Sequence, residues 1–176
     1  SFTFANIMQT TAIINYIRHW LKAYVKSSAV KGFVIGISGG IDSAVTSTIA
    51  AKTGLPLLCL EMPIHQNKIQ AERGLKHIAW LKESFDNVST IELQLSSVFD
   101  SFCSELPKNE IQNELALVNT RARLRMTTLY YFAQSNHSLV LGTGNKVEDF
   151  GIGFFTKYGD GGVDYATNAR TAEMCK

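Results

Sequence analysis

An apolar run, Gly32-Phe33-Val34-Ile35, passes without a break into Gly36-Ile37-Ser38-Gly39-Gly40-Ile41-Asp42-Ser43 and then into Ala44-Val45-Thr46-Ser47-Thr48-Ile49-Ala50-Ala51. Strand, Gly/Ser turn and helix start, in that order, form the unit with which α/β proteins hold a phosphate group, because the turn aims backbone N–H groups off the helix N-terminus. The stretch has no Gly-Lys-Ser/Thr ending, so no lysine follows the phosphates as it does in the common ATP-binding loop. The donors on offer are Ser38, Ser43 and the N–H groups of Gly39 and Gly40, and Asp42 is the lone anion. Donors beside a carboxylate able to hold Mg²⁺ suggest a nucleotide site. An ordinary Gly-rich turn capped by serine would explain Gly39-Gly40, but not the whole octapeptide between a strand and a helix.

The rest of the chain repeats the alternation. Ile13, Ile14, Ile17, Leu21, Tyr24 and Val25 recur at helical spacing and predict a helix over about 10–26. Strands are expected at 33–37, at the continuous apolar run Leu57-Leu58-Cys59-Leu60, at 90–93 and at 138–142. Helices are expected between them at 43–53, where Gly54 and Pro56 end the segment, and at 66–84, 97–106 and 110–135. This order implies an α/β fold: a doubly wound, mostly parallel sheet with helices on both faces, Rossmann-like, with right-handed crossovers. Ligands of such sheets bind at the carboxyl ends of the strands, near the switch in strand order. The Ser38 and Thr143 loops both follow strands, so the two are expected to share one crevice.

Composition limits the partners. The 176 residues suit one sizeable core, and a net charge of +2 is too weak to argue for nucleic acid. No apolar stretch reaches the roughly 18 residues of a membrane span, and residues 1–7 read as a vector-derived leader rather than a signal peptide. Cys59, Cys103 and Cys175 are odd in number and lack metal-ligand spacing, which suggests reduced, structural thiols in a cytoplasmic protein. His19, His65, His77 and His137 are scattered, without the paired spacing of a zinc site.

Two later stretches carry chemistry. On the longest helix, Asn119-Thr120-Arg121-Ala122-Arg123-Leu124-Arg125 places Asn119 and Arg123 on one face and Arg121 and Arg125 on another. One pair can face solvent while the other lines a site, where arginine suits planar contact with carboxylate or phosphate. A solvated basic face is the plainer explanation of this stretch taken alone. Further on, seven glycines within 142–162 imply a backbone that approaches something closely. Glu148, Asp149, Asp160 and Asp164 supply carboxylates there, and Lys157 a mobile cation, around Phe154-Phe155.

Ser-Gly-Gly-x-Asp-Ser by itself resembles the ATP pyrophosphatases, or PP-loop superfamily, whose fold is adenine nucleotide alpha-hydrolase-like. Asn-x-x-Ala-Arg-x-Arg, Gly-Thr with Glu five residues after the Thr, and Gly-Phe-Phe-Thr-Lys-Tyr-Gly-Asp-Gly-Gly resemble one branch of it, ammonia-dependent NAD synthetase, over roughly 10–164. The resemblance implies a cytoplasmic, Mg²⁺-dependent ligase. Its ATP adenylates the nicotinate carboxyl of deamido-NAD, and ammonia then displaces AMP. No side-chain nucleophile is required, and none stands out.

Carried over position by position, the resemblance assigns Gly36, Ile37, Ser38, Gly39, Gly40, Ile41, Asp42, Ser43 and Thr143 to ATP. It assigns Asp42 and Glu148 to Mg²⁺, and Arg123, Lys157 and Asp164 to deamido-NAD, with Asn119 joining them on the Arg123 face. Asp160 is a further candidate on chemical grounds, as a carboxylate in the Gly-rich loop able to hold or deprotonate ammonium. The family also implies a homodimer with the dinucleotide at its two-fold interface. The long helix has apolar residues to spare for one in Leu115, Leu117, Val118, Leu124, Met126, Leu129, Tyr130, Tyr131 and Phe132. Neither nucleic acid nor membrane is an expected partner.

The sequence departs from the family in two places. Asp-Phe-Gly-Ile between Glu148 and Gly153 makes the loop one residue longer than the familiar version. The continuation expected after Asp164 is missing, so the chain reads as a single ATP pyrophosphatase-type domain over 1–176 whose C-terminal part is incomplete, with intervening stretches absent. Two other readings stay open. One is a different ATP pyrophosphatase, tRNA-modifying or GMP-synthetase-like, which would need a basic RNA-binding face or a catalytic cysteine pair. The other is a nucleotide-binding module without turnover. A glutaminase site would need an activated cysteine with base partners, and the chain has no room for that domain.

Overall fold

The computed structural model describes residues 2–107, 113–144, 156–160 and 162–166, without the side chains of 2–8 and 165–166. The elements are α1 (Phe2–Ser27), β1 (Gly32–Gly36), α2 (Ile41–Ala51), β2 (Leu57–Glu61), α3 (Lys68–Ser84), β3 (Val88–Glu92), α4 (Ser96–Ser104), α5 (Glu114–Ser135), β4 (Ser138–Gly142) and β5 (Tyr165–Ala166). The five strands form one sheet in the order β3-β2-β1-β4-β5 with every pairing parallel, as the alternation of apolar runs and helices implies.

The period of two along each strand divides the core. Phe33, Ile35, Leu57, Cys59 and Leu141 face one side, packed by Ile17, Leu21 and Val25 of α1, Ile49 to Ala51 of α2, and Ile78 and Leu81 of α3. Val34, Leu58, Leu60 and Val140 face the other, packed by Phe99 of α4 and by Met126, Leu129 and Ala133 of α5. Both faces are covered, so the central strands can be apolar throughout. Of the apolar residues expected to be spare on α5, Met126 and Leu129 are core. Leu117, Leu124 and Phe132 pack partly against that core, while Leu115, Val118, Tyr130 and Tyr131 are exposed.

Boundaries differ from expectation for local reasons. The second helix begins at Ile41 rather than 43, so Ile41, Asp42 and Ser43 form its first turn; Gly40 is the N-cap and has no side chain to announce the start. α3 begins at Lys68, where the Asn67 side chain accepts from the Ile69 N–H. Asn113 caps α5 in the same way through the Ala116 N–H. The third strand lies earlier than 90–93, because Val88 is drawn into register with Leu57 and Glu92 with Glu61. β5 was not foreseen: two residues pairing with Leu141 and Gly142 leave no pattern to read. Among the described residues no helix is long and apolar enough to cross a membrane.

The strand order places the site. β1 lies between β2 and β4, so the chain leaves β1 toward one edge and returns on the other side. Ile35 pairs with Leu141, which brings Gly36 and Gly142 side by side with their following loops at one edge of the sheet. That is the switch point where such sheets bind ligands.

Candidate functional site

The octapeptide after β1 is folded on itself. Gly40 N–H donates to Ser38 Oγ at 3.2 Å and Ser43 Oγ donates to the Gly40 carbonyl at 2.9 Å. The two hydroxyls lie 3.1 Å apart, and Ser38 N–H donates to Ser43 Oγ at 3.3 Å. Several donors that the sequence offers to a phosphate are therefore engaged with one another, and an arriving anion must exchange these bonds for its own. No side chain caps the first turn of α2, so its N–H groups and partial positive charge face the loop mouth, with Asp42 in that turn.

The loop is seated on α3. Gly39 has φ +79°, and a Cβ built there would penetrate the Gln70 carbonyl oxygen of α3, with the carbonyl carbon at 3.1 Å and the Gly74 nitrogen at 3.3 Å. Only glycine satisfies both the backbone conformation and the close approach. Gln66 adds a tether, its Nε2 donating to the Ser38 carbonyl at 3.1 Å. Behind the loop, Ser47 bonds the Ser43 carbonyl and lies 2.8 Å from His77 Nε2 of α3.

A cavity of about 360 Å³ opens between the strand ends and α5. Gly36, Ile37, Ser38, Gly142 and Thr143 bound it on the strand side, so the expected shared crevice is present. Met62, Met126, Leu129 and Val163 give it apolar surface, and Gln66, Gln70, Arg125 and Asp160 are its polar side chains together with Ser38 and Thr143. The combination of apolar lining and a few polar groups is that of a small-molecule site.

The other assigned residues gather where the 156–160 turn docks on α5. Thr156 Oγ1 donates to Asn119 Oδ1 at 2.9 Å, and Arg123 Nε donates to the Lys157 carbonyl at 3.1 Å. Asp160 Oδ1 accepts the Thr156 N–H at 2.6 Å, which closes the turn while the residue lines the cavity. Lys157 Nζ lies 5.0 Å from the centroid of the Tyr158 ring, and Tyr158 is held at φ 64° with its side chain largely exposed. Asp164 is tied on both oxygens: Oδ2 accepts from the Val140 N–H at 2.8 Å and Oδ1 from the Tyr130 hydroxyl at 3.0 Å. Burial first, then the Asp164 charge and hydrogen bond, push the Tyr130 hydroxyl up to about 12. Tyr130, Tyr131, Tyr158 and Gly162 line a shallow groove that meets the cavity at Met126.

Glu148 lies outside the described residues, as does Cys175. Among the described residues no three metal-ligating side chains converge. Asp42 nonetheless suits Mg²⁺, which is commonly held by one or two carboxylates together with substrate phosphates rather than by a protein cage.

Sequence reasoning misses the cavity residues Gln66 and Gln70, and it favours Arg123 where the cavity is lined by Arg125. Helical spacing pairs Arg125 with Arg121, but the structure gives the two different contacts. Arg121 lies over the Phe99 ring, 5.3 Å from its centroid, whereas Arg125 reaches the cavity with Nε donating to the Met62 carbonyl at 2.9 Å. Burial and the neighbouring Arg121 lower the Arg125 pKa, against an opposing effect of Glu61. Glu61 is buried at the end of β2, and burial followed by the Glu92 charge raises its pKa, with Arg125 opposing.

A family model described as NAD synthase matches residues 13–172. The NH(3)-dependent NAD(+) synthetase of Mesoplasma florum is 40% identical over 89% of this chain and 63% of its own length. Among solved structures, the NH3-dependent NAD synthetase of Campylobacter jejuni superposes with a TM-score of 0.79 at 32% identity, covering 89% of this chain and 66% of that one. The NMN synthetase of Francisella tularensis superposes with a TM-score of 0.80 at 34% identity, covering 89% and 63%. The chain spans about three-fifths of the length of the curated relatives it matches.

Proposed function

The chain belongs to the NAD synthase family, and on that premise we propose that it amidates deamido-NAD with ammonia at the expense of ATP, giving NAD, AMP and pyrophosphate. The observation that carries this reading is the cavity at the switch point, where the Ser38 loop and Thr143 lie side by side under α5.

A carboxylate resists attack by ammonia because its leaving group would be oxide. In the proposed reaction a substrate carboxylate oxygen attacks the α-phosphorus of ATP, the bond to the β-phosphate oxygen breaks, and pyrophosphate departs. Ammonia then adds its lone pair to the acyl carbon, the acyl–oxygen bond breaks with release of AMP, and the nitrogen gives up its proton. The loop from Gly36 to Ser43 would hold the departing pyrophosphate through its N–H and hydroxyl donors, and Thr143 would contact the nucleotide. Asp42, with Glu148, would hold Mg²⁺, which supplies charge neutralisation for the leaving phosphates. Arg123, Lys157, Asp164 and Asn119 would bind deamido-NAD along α5. Asp160, facing the cavity, would receive ammonium or its proton.

A homodimer belongs to the same proposal. Leu115, Val118 and Tyr131 are exposed on α5, where a two-fold contact would cover them. A monomer by light scattering at assay concentrations would count against that part.

The likeness to an NMN synthetase sets up the test. ATP, ammonium chloride and Mg²⁺ are supplied with either deamido-NAD or the corresponding nicotinate mononucleotide. Stoichiometric NAD and AMP from the dinucleotide support the proposal. Turnover of the mononucleotide alone would reassign the substrate, and pyrophosphate release dependent on tRNA would overturn the reading.

A further inference from the structure

Three arginines within one helical turn and a half have three different surroundings. Arg121 lies over the Phe99 ring, and Arg123 bonds the Lys157 carbonyl of the outer turn. Arg125 alone of the three lines the cavity. Its Nε is fixed on the Met62 carbonyl, the one hydrogen bond its guanidinium makes among the described residues. No carboxylate lies within ion-pair distance of it among those residues, although it is half-buried. A guanidinium carries five N–H donors, and those on its two terminal nitrogens have no hydrogen-bond partner among the described residues, which leaves them to face what enters the cavity. A partly desolvated cation that feels the charge of Glu61 but forms no ion pair among the described residues, beside a loop made of N–H and hydroxyl donors, describes a place for an anion.

We propose that Arg125 is a substrate-contacting residue of this cavity, and that with Nε locked on Met62 it presents its terminal N–H groups to the α-phosphate of the bound nucleotide. The proposal rests on the function assigned above. Its choice of phosphate follows from the layout. The octapeptide and the N-terminus of α2 take the pyrophosphate end, while Met62, Met126 and Leu129 offer the apolar surface for the base. The group left between these ends is the phosphate that stays with the nucleoside. It is also the centre at which charge accumulates when the carboxylate attacks, so the same contact serves binding and the adenylation step. Lysine reproduces it only in part, because an ammonium held by the Met62 carbonyl has no planar fork with which to present two parallel N–H groups to a phosphate.

Calorimetry of the wild-type chain and of Arg125→Gln and Arg125→Lys, with AMP, adenosine and inorganic pyrophosphate titrated separately, tests this. Arg125→Gln is expected to weaken AMP about tenfold or more, the scale of a lost charge-assisted contact. Adenosine and pyrophosphate should change less than about twofold, a difference too small to represent a lost contact. Arg125→Lys should lose AMP affinity to a smaller extent and keep the wild-type melting temperature, which separates contact from folding if the glutamine variant is unstable. AMP binding unchanged in both variants would overturn the proposal, as would equal losses for AMP and adenosine, or a loss confined to pyrophosphate. A wild-type chain that binds none of the three would instead remove the nucleotide reading, and the proposal with it.

Discussion

Gly39→Ala is the substitution whose cost the structure defines best, because two other glycines serve as its controls. Gly54 has φ +74° and open space where a Cβ would go, so Gly54→Ala measures the left-handed backbone cost alone, about 1–2 kcal/mol. Gly40 has an ordinary φ of −91° and meets only the Ser38 hydroxyl at 3.3 Å, so Gly40→Ala should cost only what alanine loses against glycine at an N-cap, about 1 kcal/mol or less. Gly39 carries the backbone cost at φ +79° and also a clash with the α3 backbone at Gln70 and Gly74. Backbone inside a packed helix yields poorly, and overpacking of this kind costs about 1–3 kcal/mol more. Gly39→Ala should therefore destabilise by about 2–5 kcal/mol in urea unfolding, or lift the loop from α3 and abolish ATP binding in a chain that stays folded. A Gly39→Ala chain no less stable than Gly54→Ala, with wild-type ATP affinity, would refute the close approach of the loop to α3.

The other predictions concern titratable groups. Burial pushes the Cys59 thiol up to about 12, so at pH 8 it should resist alkylation in the native protein while the less buried Cys103 reacts; peptide mapping that finds Cys59 modified without denaturant would contradict this. Glu61 has a folded pKa above its ordinary value of 4.5, so its stabilising contribution is present below the unfolded pKa and lost as pH rises through the folded one. Glu61→Gln should accordingly raise the melting temperature at pH 7, with the gap to wild type closing toward pH 4; an equal gap at both pH values would show that the effect is not electrostatic. Asn67→Ala removes the cap on α3 and should cost about 1 kcal/mol in the same unfolding measurement, whereas no change would mean the cap bond is not formed in solution.

The sequence made the sheet legible because its central strands are buried on both faces. Leu57 to Leu60 and Phe33 to Ile35 cannot alternate with polar residues, and uninterrupted apolar runs of that length between helical patterns leave few other folds. That the Ser38 and Thr143 loops both follow strands is enough to place the two in one crevice, whereas the pairing of β1 with β4 that joins them leaves no mark in the sequence. What stayed hidden was set by tertiary contact. Helical spacing divides Asn119, Arg121, Arg123 and Arg125 into two faces but does not say which meets the cavity. The Phe99 ring that captures Arg121, and the Met62 carbonyl that captures Arg125, lie in other elements. Asp164 likewise reads as a free carboxylate in sequence, yet in the fold it accepts from Val140 and Tyr130. Whatever it does for a substrate it does as part of the join between α5 and β4.

Activation of the substrate carboxylate by adenylation is the central claim, and isotope transfer tests it most directly. With deamido-NAD labelled with ¹⁸O in its nicotinate carboxylate, one labelled oxygen should appear in the phosphate of AMP and none in pyrophosphate, analysed by mass spectrometry. Label in orthophosphate, with ADP as co-product, would mean that an acyl phosphate forms instead; AMP free of label would mean that ATP is cleaved without touching the carboxylate. Either result would contradict the function proposed for the Ser38 loop.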